Sequence, residues 1–248
     1  MPSSLSGKRA LVTGGSRGIG AEIVRRLVAD GADVALTYQS SPEPAQRLAD
    51  ELTAAGGTVV ALQADSADPA AVSDAVQAAV SRLGGLDILV NNAGIAYGAP
   101  IEDFPLEEFD RLIAVNVRGV FVATKAAVPH LGQGGRIITI GSVNADRAPM
   151  AGLSGYALTK AAVAGFTRGL VRELAPRGIT VNTIQPGPVA TDMNPEHGGA
   201  FSDQVRPLIA VGRYGQPADI ASAVAYLASA EASYVTGVTW NVDGGFVI

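Results

Sequence analysis

Tyr156 and Lys160 stand four residues apart in the stretch Ser154-Gly155-Tyr156-Ala157-Leu158-Thr159-Lys160, which opens a long apolar segment. On a helix that spacing stacks the two side chains on one face. A free phenol titrates near about 10, and an adjacent ammonium favours the phenolate and pulls the value down. The pair therefore predicts a general acid/base usable near neutral pH. Solvated Tyr and Lys residues share this spacing on many helices, so the reading depends on what else the chain brings to the pair.

A second stretch brings a candidate cofactor. Lys8 to Thr13 reads as a short buried strand, and Gly14-Gly15-Ser16-Arg17-Gly18-Ile19-Gly20 follows it directly. A helical pattern then runs from Ala21 to Ala29, with Gly31 placed as its stop, and Asp33 to Thr37 is a second strand. Strand, glycine turn, helix and strand make a βαβ unit of the dinucleotide-binding kind. A pyrophosphate sits against backbone N–H groups at a helix N-terminus, where the dipole favours anions. A Cβ at Gly14 or Gly20 would hold the phosphate or the helix away. An acid at the end of the second strand would bond the ribose hydroxyls of NAD. Here that place holds Tyr38-Gln39-Ser40-Ser41, with no acid. Hydroxyls and amides accept a 2′-phosphate, and Arg17 supplies the countercharge, so NADP(H) is favoured over NAD(H).

The elements that must position these residues alternate along the whole chain. Further strands are expected at 58–62, 86–90, 135–140, 179–184 and 237–242. Helices are expected at 42–55, from Asp68 to Leu83, at 106–131 with a bend near Pro129, onward from Ser154, and at 217–228. This is the pattern of a single α/β domain over 1–248, a Rossmann-type doubly wound parallel sheet of about seven strands with helices on both faces. The breaker-rich segment 192–213 interrupts the rhythm after a strand end, where α/β folds bind ligands, and is expected to be a substrate lid.

Composition bounds the function. Hydrophobic residues are 48% and charged residues 17% of the chain, which suits a large core and argues against disorder. The net charge of −5 and the lack of a basic run argue against nucleic acid. No apolar run reaches about 18 residues, Met1 to Gly7 lacks a signal-peptide core, and there are no cysteines, so a cytoplasmic location off the membrane is expected. His130 and His197 lack ligand partners in the sequence, so no metal site is expected.

Taken together, the motifs resemble those of the short-chain dehydrogenases/reductases. Thr13 to Gly20 resembles that family's TGxxxGxG, Asn91-Asn92-Ala93-Gly94 its NNAG, and Pro186-Gly187-Pro188-Val189-Ala190-Thr191 its PGxxxT. Asn116, Ser142, Tyr156 and Lys160 fall at its catalytic tetrad, in family order. The pattern is similar to the 3-oxoacyl-carrier-protein reductases. The stretches 64–68, 141–147 and 184–188 look closer to a branch that includes a bacterial cyclic-di-GMP-binding biofilm-dispersal protein. Ser142 stands 14 residues before Tyr156, a longer spacing than in the carrier-protein reductases, and the extra length falls in the loop that shapes the substrate pocket.

The resemblance implies a reductase of ketones, or a dehydrogenase of secondary alcohols, assembled as a homotetramer. Ser142 would hold the carbonyl oxygen, Tyr156 deliver the proton, Lys160 bond the nicotinamide ribose and lower the Tyr156 pKa, and Asn116 hold a relay water. Val189 and Thr191 would hold the carboxamide, while Asp65 and Ala93 would meet the adenine and its ribose. Ser66, Asn92, Gly94, Pro186 and Gly187 complete the expected cofactor contacts. Asn144, Leu153 and Met193 join Ser142 and Tyr156 around an apolar substrate. The branch resemblance implies an alternative, a nucleotide-binding regulator on a reductase scaffold.

Overall fold

The computed structural model describes residues 5–196 and 200–248. Seven strands form one parallel sheet: β1 (Arg9–Val12), β2 (Asp33–Tyr38), β3 (Val59–Gln63), β4 (Ile88–Asn91), β5 (Arg136–Ile140), β6 (Thr180–Pro186) and β7 (Thr239–Val242). Their order is β3-β2-β1-β4-β5-β6-β7. The chain winds outward from β1 in one direction, then returns to β4 and winds in the other. This is the doubly wound Rossmann arrangement, with its switch point between β1 and β4.

Helices cover both faces because strand side chains alternate. On one face Val12, Val34, Val90, Ile138 and Ile184 pack with α1 (Gly18–Ala29), α2 (Pro42–Ala54) and α8 (Pro217–Ala228) through Ile23, Val24, Leu27, Leu48, Val224 and Leu227. On the other, Leu11, Ala35, Leu89, Ile137 and Val181 pack with α3 (Pro69–Leu83), α5 (Val120–Ala127) and α6 (Ser154–Leu174). Local chemistry sets the ends of α3. The Asp68 carboxylate accepts from Ala70 N at 2.9 Å, Pro69 opens the first turn, and Gly84 closes the helix at φ 75°.

Two expectations need correction. The helix expected at 106–131 is not uniform. It is α4 (Leu106–Ile113), a π-helical stretch at Ala114–Gly119 and then α5, ending in a 3₁₀ turn at Val128–His130 around Pro129. An inserted π turn has no composition signal, and it falls on Asn116. The same Leu106–His130 stretch is also long and apolar enough to cross a membrane by length and composition, with mean hydropathy 1.4. Here it is a layer helix packed against α3 and α6. The short α7 (Ala200–Val205) lies within the expected lid.

The amino ends of the two central strands are fixed by charge. Arg9 Nε donates to Asp87 Oδ2 at 2.7 Å, Nη2 to Oδ1 at 3.2 Å, and the Arg9 backbone N–H to Oδ2 at 2.9 Å. Burial works to raise the Asp87 carboxyl, but the bonds and charge of Arg9 outweigh it and hold the group below its ordinary value. A depressed carboxylate stabilises the fold above its ordinary pKa and loses that contribution as pH falls through the folded value. Arg9→Met is expected to cost about 1–3 kcal/mol in urea unfolding at pH 7. The deficit against wild type should shrink as pH drops below the ordinary carboxylate range.

Candidate active site

Side chains of Thr13 and Asn92 build the floor of the switch-point crevice. Thr13 Oγ1 accepts from Asn92 N and Ala93 N, each at 3.0 Å. Asn92 Nδ2 donates to Thr13 O and Gly14 O, each at 2.9 Å. The glycine turn after β1 and the Asn92–Gly94 loop after β4 are thereby locked together. Close packing explains the glycines. At Gly14, with φ +63°, a Cβ would stand 2.9 Å from Ala93 Cα, and at Gly20 it would run into Gly14 O and Asn92 Nδ2. The reason expected from sequence was room for a phosphate. The structure adds the approach of the turn to the neighbouring loop.

A cavity of about 770 Å³ opens above this floor. Of the residues expected to touch a dinucleotide, Gly14, Ser16, Arg17, Gly18, Ile19, Gly20, Tyr38, Gln39, Asp65, Ser66, Asn92, Ala93, Gly94, Pro186, Gly187, Val189 and Thr191 line it. Ser40 and Ser41 are exposed and lie off its wall. Arg17 has no ion-pair partner among the described residues. A glycine-rich turn ahead of α1 that carries an arginine without an ion-pair partner among the described residues fits a phosphate-bearing dinucleotide.

Ser142, Asn144, Leu153, Tyr156, Lys160 and Met193 line the other half of the same cavity. Ser142 follows β5 directly and caps the 3₁₀ turn Val143–Ala145, accepting from Asn144 N at 3.1 Å. Tyr156 and Lys160 lie on the first turns of α6, with Lys160 Nζ 5.6 Å from the Tyr156 ring centroid. The Ser142 hydroxyl acts on the Tyr156 phenol by favouring its ionised form. Lys160 is buried, and its Nζ donates to Ile140 O at 3.1 Å.

The titration expected for the pair is corrected here. Burial raises the Tyr156 phenol above its ordinary value, and Ser142 only offsets part of that. Burial also lowers Lys160 from 10.5 to about 8. Desolvation is the leading cause for both groups and outweighs the attraction that helical spacing suggested, with Lys160 buried and Tyr156 half-buried on the cavity wall.

Asn116 stands behind the cavity wall instead of on it. Its Oδ1 accepts from Ile95 N at 2.9 Å, and its Nδ2 donates to Ile95 O at 2.9 Å and to Thr159 Oγ1 at 3.1 Å. Thr159 in turn donates to Tyr156 O at 2.8 Å. The π turn thus delivers an amide that ties the Asn92–Ile95 loop to α6. Among the described residues no cluster of His, Cys, Asp and Glu could hold a metal, and His197 lies outside them.

Comparison with known proteins agrees with this geometry. The family model described as Enoyl-(Acyl carrier protein) reductase matches residues 14–247. A short-chain dehydrogenase/reductase from Serratia marcescens superposes with TM-score 0.97 and 53% identity, covering 99% of this chain and 100% of its own. The chain belongs to the short-chain dehydrogenase/reductase family. A short-chain dehydrogenase from Burkholderia cenocepacia, solved in complex with NADP, is 51% identical with TM-score 0.97, covering 99% and 100% of the two chains. The Cyclic-di-GMP-binding biofilm dispersal mediator protein of Escherichia coli is 46% identical over 98% of each chain. As a member of this family the protein is an oxidoreductase.

Sequence reasoning passed over Arg111 and Phe246, which both reach this dehydrogenase/reductase cavity. Arg111 precedes the π turn, and Phe246 lies 90 residues beyond Tyr156, so neither carries a motif signal.

The Lys160 shift has a measurable sign. Between about 8 and 10.5 the unfolded chain holds a proton that the folded chain has released, so stability rises with pH across that window. Wild type is expected to gain stability relative to Lys160→Met as urea unfolding is moved from pH 8 to pH 10. A flat difference would show that Lys160 titrates normally.

Proposed function

We propose that the protein is an NADPH-dependent reductase of ketones, with Tyr156 as the proton donor. The observation that carries this reading is the meeting of Ser142, Tyr156 and buried Lys160 on the same cavity as the glycine turn, with Tyr156 and Lys160 one helical turn apart. When bound, the nicotinamide cofactor supplies the hydride. Gly14 to Gly20 would hold its pyrophosphate, Asp65, Ser66 and Ala93 its adenosine, Lys160 its nicotinamide ribose, and Val189 and Thr191 its carboxamide. Pro186 and Gly187 shape the backbone beside that last group.

Ser142 Oγ holds the carbonyl oxygen of the substrate, and Tyr156 Oη gives it a proton as negative charge develops there. A phenol held above its ordinary pKa keeps that proton at neutral pH, which suits the direction of reduction. Lys160 supplies positive charge beside the phenol while protonated. Asn116 positions α6 through Thr159 and the wall through Ile95. The described residues of 192–213 close the substrate side as a lid, residues 197–199 lying outside them, with Asn144, Leu153 and Met193 facing an apolar ketone.

NADPH is preferred to NADH in this reading because the end of β2 offers Tyr38 and Gln39 to the cavity in place of a carboxylate, and Arg17, without an ion-pair partner among the described residues, can pair with a 2′-phosphate. The NADP complex of the Burkholderia relative supports it. The protein works in the cytoplasm as a homotetramer. Two exposed aromatic faces support the assembly: Phe121 with Phe166, ring centroids 5.6 Å apart, and Tyr226 with Trp240 at 5.9 Å. The name of the Escherichia coli relative supports a second reading, a cyclic-di-GMP-binding regulator. Calorimetry with that dinucleotide in the presence of NADPH separates the two, since a reductase alone gives no heat of binding.

NADPH absorbance, followed with a panel of a 3-oxoester, an aryl ketone and a steroid ketone, tests the main reading. Tyr156→Phe is expected to lower turnover about a hundred- to ten-thousand-fold and leave the NADPH dissociation constant within about twofold. Undiminished turnover in that variant would sink the mechanism. Arg17→Ala should raise the KM for NADPH about tenfold or more and barely move that for NADH, as expected on losing one charge-assisted phosphate contact. A wild-type preference for NADH would refute the cofactor assignment.

A further inference from the structure

We infer that Arg147 is a positioning residue that holds the substrate half of the cavity together by pinning the segment Asp243–Ile248 to the loop after Ser142. The inference rests on the reductase reading for its kinetic consequence, but its geometry stands by itself. Arg147 Nη1 donates to Phe246 O at 2.8 Å and approaches an oxygen of Ile248 at 3.5 Å. Its guanidinium carbon lies 5.9 Å from the Phe246 ring centroid, within reach of a cation–π contact.

Phe246 is the joint between the loop and the lid. Its side chain is 2% exposed and shares a small separate core with Val143 of the loop, with Val205 and Ile209 of the lid segment, and with Tyr214 just after it. Phe246 and Val205 also stand on the cavity wall. The backbone repeats the link, since Val211 N donates to Gly244 O at 3.0 Å. Gly244 sits at φ +63°, and a Cβ there would stand 2.7 Å from Val211 Cγ2, so only glycine permits this approach. The turn is stiffened by Asp243, whose carboxylate oxygens accept from Gly245 N and Val247 N at 3.0 Å each. Force applied to the lid is therefore carried through Phe246 to Arg147.

The loop has a second anchor at Asp146, beside Arg147. Gln185 Nε2 on β6 donates to Asp146 Oδ2 at 2.6 Å and to Asn241 Oδ1 on β7 at 2.7 Å. Loss of Arg147 would leave that anchor, Ser142 and Tyr156 in place while freeing the lid. Substrate retention should suffer and the chemical step should not.

The test compares Arg147→Met and Arg147→Lys with wild type in the full chain. Amide hydrogen exchange is expected to speed up about tenfold or more at 205–214 in the Met variant, with strands β1 to β7 unchanged, as for a local opening. The NADPH dissociation constant should stay within about twofold, and the KM for the best ketone of the panel should rise about tenfold with kcat within about threefold. The Lys variant can still donate to Phe246 O but cannot stack as a plane, so it should fall between wild type and Met. Unchanged exchange at 205–214 would overturn the proposal. So would faster exchange spread over the whole sheet, or a fall in kcat at constant KM. Failure of wild type to reduce any ketone would count against the reductase reading alone, because the exchange arm needs no turnover.

Discussion

Two strands that diverge at their carboxyl ends need a tie, and the Thr13–Asn92 contact is the one this fold depends on. One hydroxyl receives two backbone N–H groups, and one amide donates to two backbone carbonyls. All four bonds cross from β1 to β4, the strands that flank the switch point. Buried backbone groups that leave a strand must find partners, and here they find each other's loops. The glycine turn and the Asn92–Gly94 loop become opposite walls at a fixed separation. The crevice follows from satisfying those groups.

The catalytic half uses the same economy with a charged residue. Lys160 lies buried with one carbonyl partner, Ile140 O, and its proton affinity falls accordingly. Burying an ammonium without a carboxylate is costly, and natural folds retain such groups chiefly where function requires them. Arg136 offers a useful contrast. It too is buried, and burial lowers its pKa, but it donates to Gly134 O, Gly135 O and Ser229 O at the far end of β5. Its carbonyl shell is filled by structure, and it lies away from the cavity.

Much of this was legible in the sequence because it depends on local order. The strands, the glycine turn, Ser142 at a strand end and Tyr156–Lys160 on one helix face follow from period and adjacency. What sequence could not supply depends on environment or on distant contact. The direction of the Tyr156 shift needed its burial, since spacing reports only the neighbour's charge. The partners of Asn116 needed the π turn, which leaves no compositional trace. Ser40 and Ser41 were placed by adjacency to β2, yet the strand's direction carries them off the wall. Phe246 needed the fold, because a terminal aromatic is indistinguishable from any other core residue until its neighbours are known.

The separation of contacting residues along the chain has a consequence for the order in which the molecule is made. The Thr13–Asn92 tie closes across 79 residues, and the expected cofactor contacts are all synthesised once Thr191 has been added. The Arg147–Phe246 link spans 99 residues and waits for Phe246. Domains emerge from the ribosome amino end first, and long-range pairings form slowly. A nascent chain can therefore collapse around its first five or six strands with the dinucleotide crevice outlined, while the neighbouring compartment is still without one wall.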